Sequence, residues 1–273
     1  MRRIDSLLKS SAVAAISVFV VLSLGCGKKR IGTGEPPDVL YAKATTELAK
    51  EGGFPYFLRG PDYDKLFSLL KEIQLRHTYS PYTTLAELRT ADAYFKHGEY
   101  EQAAVEYGEF IKRHPSHKET PYATYRLGLA HYRQKHAIDR DPTSLREASK
   151  WLSYFKERHS RSELAPEAEK LYKKTRKLLA KREMYIANYY WKKKNYKATS
   201  MRYNTVVVTY GDTTLVEEAL YKLGKCYHKM GEDYLAVASL ERIVTEYPNE
   251  KYHKKAAKLI SKIKRKQSKK AEN

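Results

Sequence analysis

From Val39 to about Lys266 apolar residues recur at three- and four-residue spacing, with few Gly or Pro inside each run and turn signals between runs. That period predicts helices throughout. The runs come in pairs. "TADAYFKHGEYEQAAVEYGEFIKRHP" (Thr90 to Pro115) and "KLGKCYHKMGEDYLAVASLERIVTEYP" (Lys222 to Pro248) place the same residue types at the same intervals. A small residue comes first, then an aromatic, a Gly, an Ala, a large side chain and a Pro: Ala91, Tyr94, Gly98, Ala103, Tyr107 and Pro115 in one, Gly224, Tyr227, Gly231, Ala236, Leu240 and Pro248 in the other.

Each position has a physical task. The small residue lets two helices of a hairpin approach, the aromatic fills the space beside it, Gly serves the turn and Pro ends the second helix. This is the tetratricopeptide pattern. Two weaker copies lie between the full ones. "YRLGLAH" (Tyr125 to His131) begins a third repeat whose second helix resumes at "SLREASKWLSYFKERHS", with Ala148, Leu152 and Phe155 in register after an inserted "KHAIDRDPT". "IANYYWKKKNYKATSMRYNTVVVTYGD" carries Ala187, Tyr190, Tyr196 and Tyr203 and is entered through a long helix from about Leu164. "NTVVVTY" alone has strand composition, but the repeat frame makes it helix.

The first repeat, Val39 to Tyr79, pairs "LYAKATTELAK" with "DYDKLFSLLKEIQLRH" across an enlarged loop containing "GGFPYFLRGP". After Pro248 a polar-faced helix closes the array, as a solenoid end requires. The expected fold is thus an all-α tetratricopeptide-repeat solenoid of about five helix hairpins plus a C-terminal capping helix. Repeats 1–3 fill 39–163, repeats 4–5 fill 164–248, and the capping helix and basic tail fill 249–273.

Ahead of the repeats, Arg2, Arg3 and Lys9 precede the uncharged run "AVAAISVFVVLSL", which ends at Gly25-Cys26. A basic head, a short apolar run and a small residue have the layout of a secretory signal peptide over 1–25. Cys26 directly after the small residue resembles the lipobox of bacterial lipoproteins, with Ser23 where Leu is usual. The resemblance implies acylation at Cys26 and outer-membrane sorting from Gly27, and the Gly- and Pro-rich "KKRIGTGEPPD" (Lys28 to Asp38) completes a lipidated tether over 26–38. With Cys26 acylated, Cys226 has no disulfide partner.

The 273 residues include 52 Lys and Arg against 32 Asp and Glu, a formal net charge of +20. Export argues against nucleic acid as the target and leaves anionic lipid or acidic protein surfaces, with "KIKRKQSKK" (Lys262 to Lys270) as the densest cluster; a solvated tail accounts for it equally. No catalytic constellation stands out. His114 and His117 read as a surface turn without a third ligand, and His131 fills the aromatic slot of repeat three. Cys226 sits on a buried helix position, and no phosphate loop or zinc-protease motif is present. No enzyme, no cofactor and no metal are expected.

Binding remains. Helix A positions about two, five, nine, twelve and thirteen line the groove of this repeat class. They are Leu85, Leu88, Asp92, Phe95 and Lys96 in repeat two, and Tyr122, Tyr125, Leu129, Tyr132 and Arg133 in repeat three. Each serves either as groove wall or as packing between repeats. As a groove they are apolar and aromatic with cations at the edge, suited to a peptide ending in an aromatic residue and carboxylate. The same frame gives Lys181, Met184, Asn188, Trp191 and Lys192, then Glu218, Tyr221, Lys225, His228 and Lys229. This surface is more basic, and its expected partner is acidic.

Signal peptide, lipobox, tether and five repeats together resemble the BamD lipoprotein family of the Gram-negative outer membrane. "DRDP" (Asp139 to Pro142) and "KREMYIANYY" (Lys181 to Tyr190) are the most specific segments. The resemblance implies a lipid-anchored scaffold on the periplasmic face of the outer membrane, within the β-barrel assembly machinery. Its N-terminal repeats would bind the C-terminal signals of unfolded outer-membrane proteins. Its C-terminal repeats would hold the barrel subunit, BamA, with Lys181, Trp191, Lys192, Lys225, His228 and Lys229 as contacts. The alternative is another lipidated repeat adaptor, a pilotin-like secretin factor or a murein hydrolase scaffold. The enlarged first loop, the short loop before "DRDP" and the long basic terminal helix depart from the family's pattern.

Overall fold

A computed structural model describes residues 34–51, 60–248 and 251–271. The signal peptide, Cys26 and most of the enlarged first-repeat loop lie outside the described residues. Among those described there are eleven helices and no strand. The chain forms two compact units that divide between Ala86 and Glu87, inside the third helix.

In the first unit α1 (Pro37–Ala49) pairs with α2 (Tyr63–Arg76). Leu40 and Ala44 of α1 are buried, as are Leu66, Leu69, Leu70 and Ile73 of α2. Asp62 caps α2 by accepting from the Lys65 amide at 3.0 Å, which satisfies one of the free N–H groups of the first turn. Buried Glu47 accepts the Asp62 amide at 2.8 Å and an ion pair from Lys50 at 2.7 Å, so α1 is tied to the start of α2.

The second unit takes in most of α3 (Pro81–His97), then α4 (Tyr100–Arg113), α5 (Thr120–Arg133), α6 (Thr143–Arg158), α7 (Ala165–Lys192), α8 (Tyr196–Thr209), α9 (Val216–Met230), α10 (Asp233–Glu246) and α11 (His253–Ala271). Three buried clusters succeed one another along it: α3 to α5, then α5 to α7, then α7 to α11. Tyr210 packs against the last two. "NTVVVTY" is helical within α8, and burial of Tyr203, Val206 and Val207 explains why its β-branched composition does not decide the outcome.

The small positions carry the helix approach. A Cβ on Gly224 would stand 2.7 Å from Leu240 Cγ, and one on Gly128 2.9 Å from Leu152 Cγ. Ala91 and Ala187 hold the same slot where the facing large residue is a tyrosine, Tyr107 or Tyr203, in the same buried cluster. A flat ring leaves room for a methyl that a branched leucine does not. The hairpin turns repeat as well. Gly98 and Gly231 adopt φ of 91° and 82°, and Lys194 fills the equivalent turn at φ 58°. Each turn returns the following amide to a carbonyl of the preceding helix: Glu99 to Tyr94 at 2.9 Å, Asn195 to Tyr190 at 3.1 Å, Glu232 to Tyr227 at 3.0 Å.

The second helix of every repeat ends on a ring: His77, His114, His159, Tyr210 and Tyr247. His114 ends α4 and His117 lies in the turn that follows, as the sequence predicts, though neither ring is fully exposed. Both rings pack against Phe110, His114 tilted at 5.1 Å and His117 edge-on at 5.6 Å, and His114 Nε2 is 2.8 Å from Glu87. The inserted loop before α6 is fixed by Arg182, whose Nε donates to the Arg140 carbonyl at 3.2 Å, so "DRDP" and "KREM" meet in space. α11 covers the last hairpin with Ala256 and Ile263 and turns its lysines outward.

Candidate functional site

The sequence-predicted groove positions divide once their side chains are placed. Leu85 lies on α3 before the unit boundary and is partly exposed. Leu88 is 0% exposed and belongs to the core of α3 to α5, so it packs between repeats. Tyr132 is buried, and Tyr125 and Leu129 pack against the same α5 to α7 cluster, Tyr125 edge-on to Phe155 at 6.4 Å. Lys96 and Arg133 are exposed at the ends of their helices.

Asp92, Phe95 and Tyr122 come together around a residue the groove frame does not contain, Arg126. Asp92 is 6% exposed, and its Oδ1 accepts from the Tyr107 hydroxyl and from the Tyr122 hydroxyl at 2.9 Å. Its other oxygen pairs with Arg89. Arg126 Nε donates to the Tyr107 hydroxyl at 3.0 Å and lies 3.9 Å from Asp92, while its guanidinium covers the Phe95 ring at 3.8 Å. The buried carboxylate is thus fully compensated by two cations and two hydroxyls. Burial, then Asp92, pushes the Tyr122 phenol up to about 12 and holds Tyr107 higher still. Burial opposes the charge on Arg126, but Tyr107, Tyr122 and Asp92 outweigh it and raise its pKa.

A second node stands at one constant offset along the chain. Asn188 replaces Asp92, Trp191 replaces Phe95, Tyr203 replaces Tyr107, Glu218 replaces Tyr122, Lys222 replaces Arg126 and Lys225 replaces Leu129. Asn188 Oδ1 accepts from the Tyr203 hydroxyl at 2.8 Å and from Lys222 Nζ at 3.2 Å. Lys222 pairs with Glu218 at 2.8 Å, and Lys225 Nζ stands 5.6 Å from the Trp191 ring centre. Asn188, Trp191, Tyr203, Lys222 and Lys225 line a small cavity.

Of the expected scaffold contacts, Trp191 and Lys225 are brought together there. His228 pairs with Asp233 at 2.5 Å. Lys181, Lys192 and Lys229 are exposed. Arg126 and Lys222 escaped the sequence reading because a cation on a helix reads as solvent-facing; their matching intervals to an aspartate or asparagine and a tyrosine were the available signal.

Nothing in these nodes is arranged for covalent chemistry. Cys226 is buried, its S–H donates to the Tyr196 carbonyl at 3.0 Å, and burial pushes its thiol up to about 11, away from the reactive thiolate. Among the described residues no group of three His, Cys, Asp or Glu is placed to hold a metal ion. No described helix is long and apolar enough to cross a membrane.

Residues 34–238 match the family model YfiO, described as an outer membrane lipoprotein. Similar curated proteins are named outer membrane protein assembly factor BamD. One from Neisseria meningitidis is 29% identical over 77% of this chain and 78% of its own length. One from Xylella fastidiosa is 27% identical over 87% and 82%, and one from Caulobacter vibrioides 24% over 92% and 81%. The model spans every hairpin from α1 to α9, both nodes and the "DRDP" contact, so the chain belongs to the YfiO/BamD family of outer membrane lipoproteins.

Proposed function

We propose that the protein is a non-catalytic subunit of the outer-membrane β-barrel assembly machinery, anchored through Cys26 to the periplasmic face of the outer membrane. The observation that carries this reading is similarity to assembly factors over about four fifths of their length. The N-terminal repeats, 39–163, take the C-terminal segment of an unfolded outer-membrane protein. Their accessible wall is Phe95, Tyr122, Tyr125 and Leu129, with Lys96 and Arg133 at the edge. The C-terminal repeats, 164–248, hold the barrel subunit through Lys181, Trp191, Lys192, Lys225, His228 and Lys229. A client held beside the insertase by one anchored scaffold gains effective concentration without any new contact.

The test is a crosslinked pull-down of the lipidated protein from detergent-solubilised envelopes, with the eluate identified by mass spectrometry. Recovery of a large β-barrel protein with periplasmic domains supports the reading, and its release by raised salt is expected from the basic surface. Recovery of a secretin or a murein hydrolase with no such barrel overturns it in favour of another lipidated adaptor.

A further inference from the structure

In repeat two the carboxylate that gathers Arg89, Arg126, Tyr107 and Tyr122 is part of the chain. In repeat four the corresponding residue is Asn188. Its Oδ1 is already occupied by Tyr203 and Lys222, and its Nδ2 donates to no group among the described residues. The charge of Lys222 is met by Glu218. Lys225 is exposed, lies over Trp191 and 5.8 Å from the Tyr221 ring centre, and has no carboxylate partner among the described residues.

The uncommitted polar groups at the cavity are therefore donors, an amide N–H and an ammonium, set against an indole wall. That combination selects an anionic acceptor joined to a short apolar stem. At the first node the matching positions are Asp92 and Leu129, so this pair of donors has no counterpart in repeat two.

We propose that the cavity between Asn188, Trp191, Tyr203, Lys222 and Lys225 binds a peptide carboxylate, with Lys225 Nζ and Asn188 Nδ2 as its donors and Trp191 as its apolar wall. Repeat two has Asp92 and Leu129 at these positions and offers no such pair of donors. The site deepens the reading of the C-terminal repeats as the partner-holding half and rests on it. The carboxylate is either an acidic side chain of a docked protein or the free C-terminus of a chain.

Trp191 emission tests this, in the full-length lipidated chain in detergent with Trp151, the other tryptophan, changed to Phe. Four probes separate the sources: acetyl-Gly-Ala-Phe as free acid and as amide, and acetyl-Gly-Glu-Ala amide against its Gln counterpart. A saturable change with either acid, at least about tenfold weaker with its neutral counterpart, is expected. A response to the free acid alone assigns the site to chain ends, and a response to the Glu peptide alone assigns it to acidic side chains. Lys225→Met removes the exposed donor, and Asn188→Asp fills the site with an internal carboxylate; each is expected to weaken binding tenfold or more, with unchanged helical circular dichroism. No saturable change, equal binding of acid and amide, or wild-type binding by both variants overturns the proposal. Because the titration uses the isolated chain and short peptides, its failure leaves the pull-down result standing, and the reverse also holds.

Discussion

The nodes of repeats two and four occupy the same helical positions and solve the same packing problem with different electrostatics. Around Tyr107 the chain buries a charged aspartate and neutralises it with two arginines. Around Tyr203 it uses a neutral amide and one lysine. The tyrosine and the small residue are the constant elements, so they belong to the fold. What varies is the charge at the polar centre and whether donors beside it are left over. A closed centre favours rigidity, and an open one leaves donors for a ligand.

The largest separation between the two is expected on truncating the centres. Asp92→Ala leaves Arg89 and the Tyr107 and Tyr122 hydroxyls without their acceptor and Arg126 without its counter-charge, and a loss of about 3 kcal/mol is expected in urea unfolding. Asn188→Ala removes only neutral or singly charged hydrogen bonds and should cost about 1 kcal/mol. Equal losses would erase the distinction between a closed and an open node.

The small positions sharpen the comparison next. Gly224→Ala drives a methyl into Leu240 and is expected to cost about 2 kcal/mol. The tyrosine-facing slots already carry alanine at Ala91 and Ala187. If Gly224→Ala is neutral by thermal unfolding, the leucine shifts freely and the slot is not a steric constraint. The turns give a smaller effect of opposite sign. Lys194→Gly relieves a left-handed lysine and should stabilise by about 1 kcal/mol, whereas Gly98→Ala should destabilise by a similar amount. Matching signs for the two would show that φ at this turn is not the governing term.

The last contrast is in pH. Helix ends carry histidine in repeats one to three and tyrosine in repeats four and five. Burial, with Arg158 beside it, lowers the pKa of His159 below its ordinary value, so the unfolded chain binds that proton more readily than the folded one. Its contribution is present above the unfolded value of about 6.5 and is lost as pH falls through the folded value. His159→Tyr should flatten the decline in melting temperature below pH 6.5. An unchanged slope would assign the decline to other groups.

The hairpins were legible because small and large residues must face each other at fixed intervals, and the frame even overrode the strand composition of "NTVVVTY". The nodes were not. Asp92 reads as groove wall by its position on helix A, yet Tyr107, fifteen residues on, draws it inward. Leu88 falls on a groove position by count and is wholly buried, since α3 meets α4 and α5 on a wider face than one stripe. His114 and His117 read as a surface turn because a sequence does not reveal that both rings rest against Phe110.

The 28 residues of α7 run without a break from the cluster around Phe155 to the one around Tyr203. At 1.5 Å per residue this is a rod about 42 Å long. Elsewhere in a stacked array successive hairpins are joined by turns, which act as compliant joints when the array is loaded. A turn over 159–164 still joins α6 to α7, but beyond it one helix carries both clusters, and flexing between them means stretching helical hydrogen bonds. A pull on the last hairpin therefore reaches the cluster of α5 and α6 with little slack, as through a lever rather than a spring.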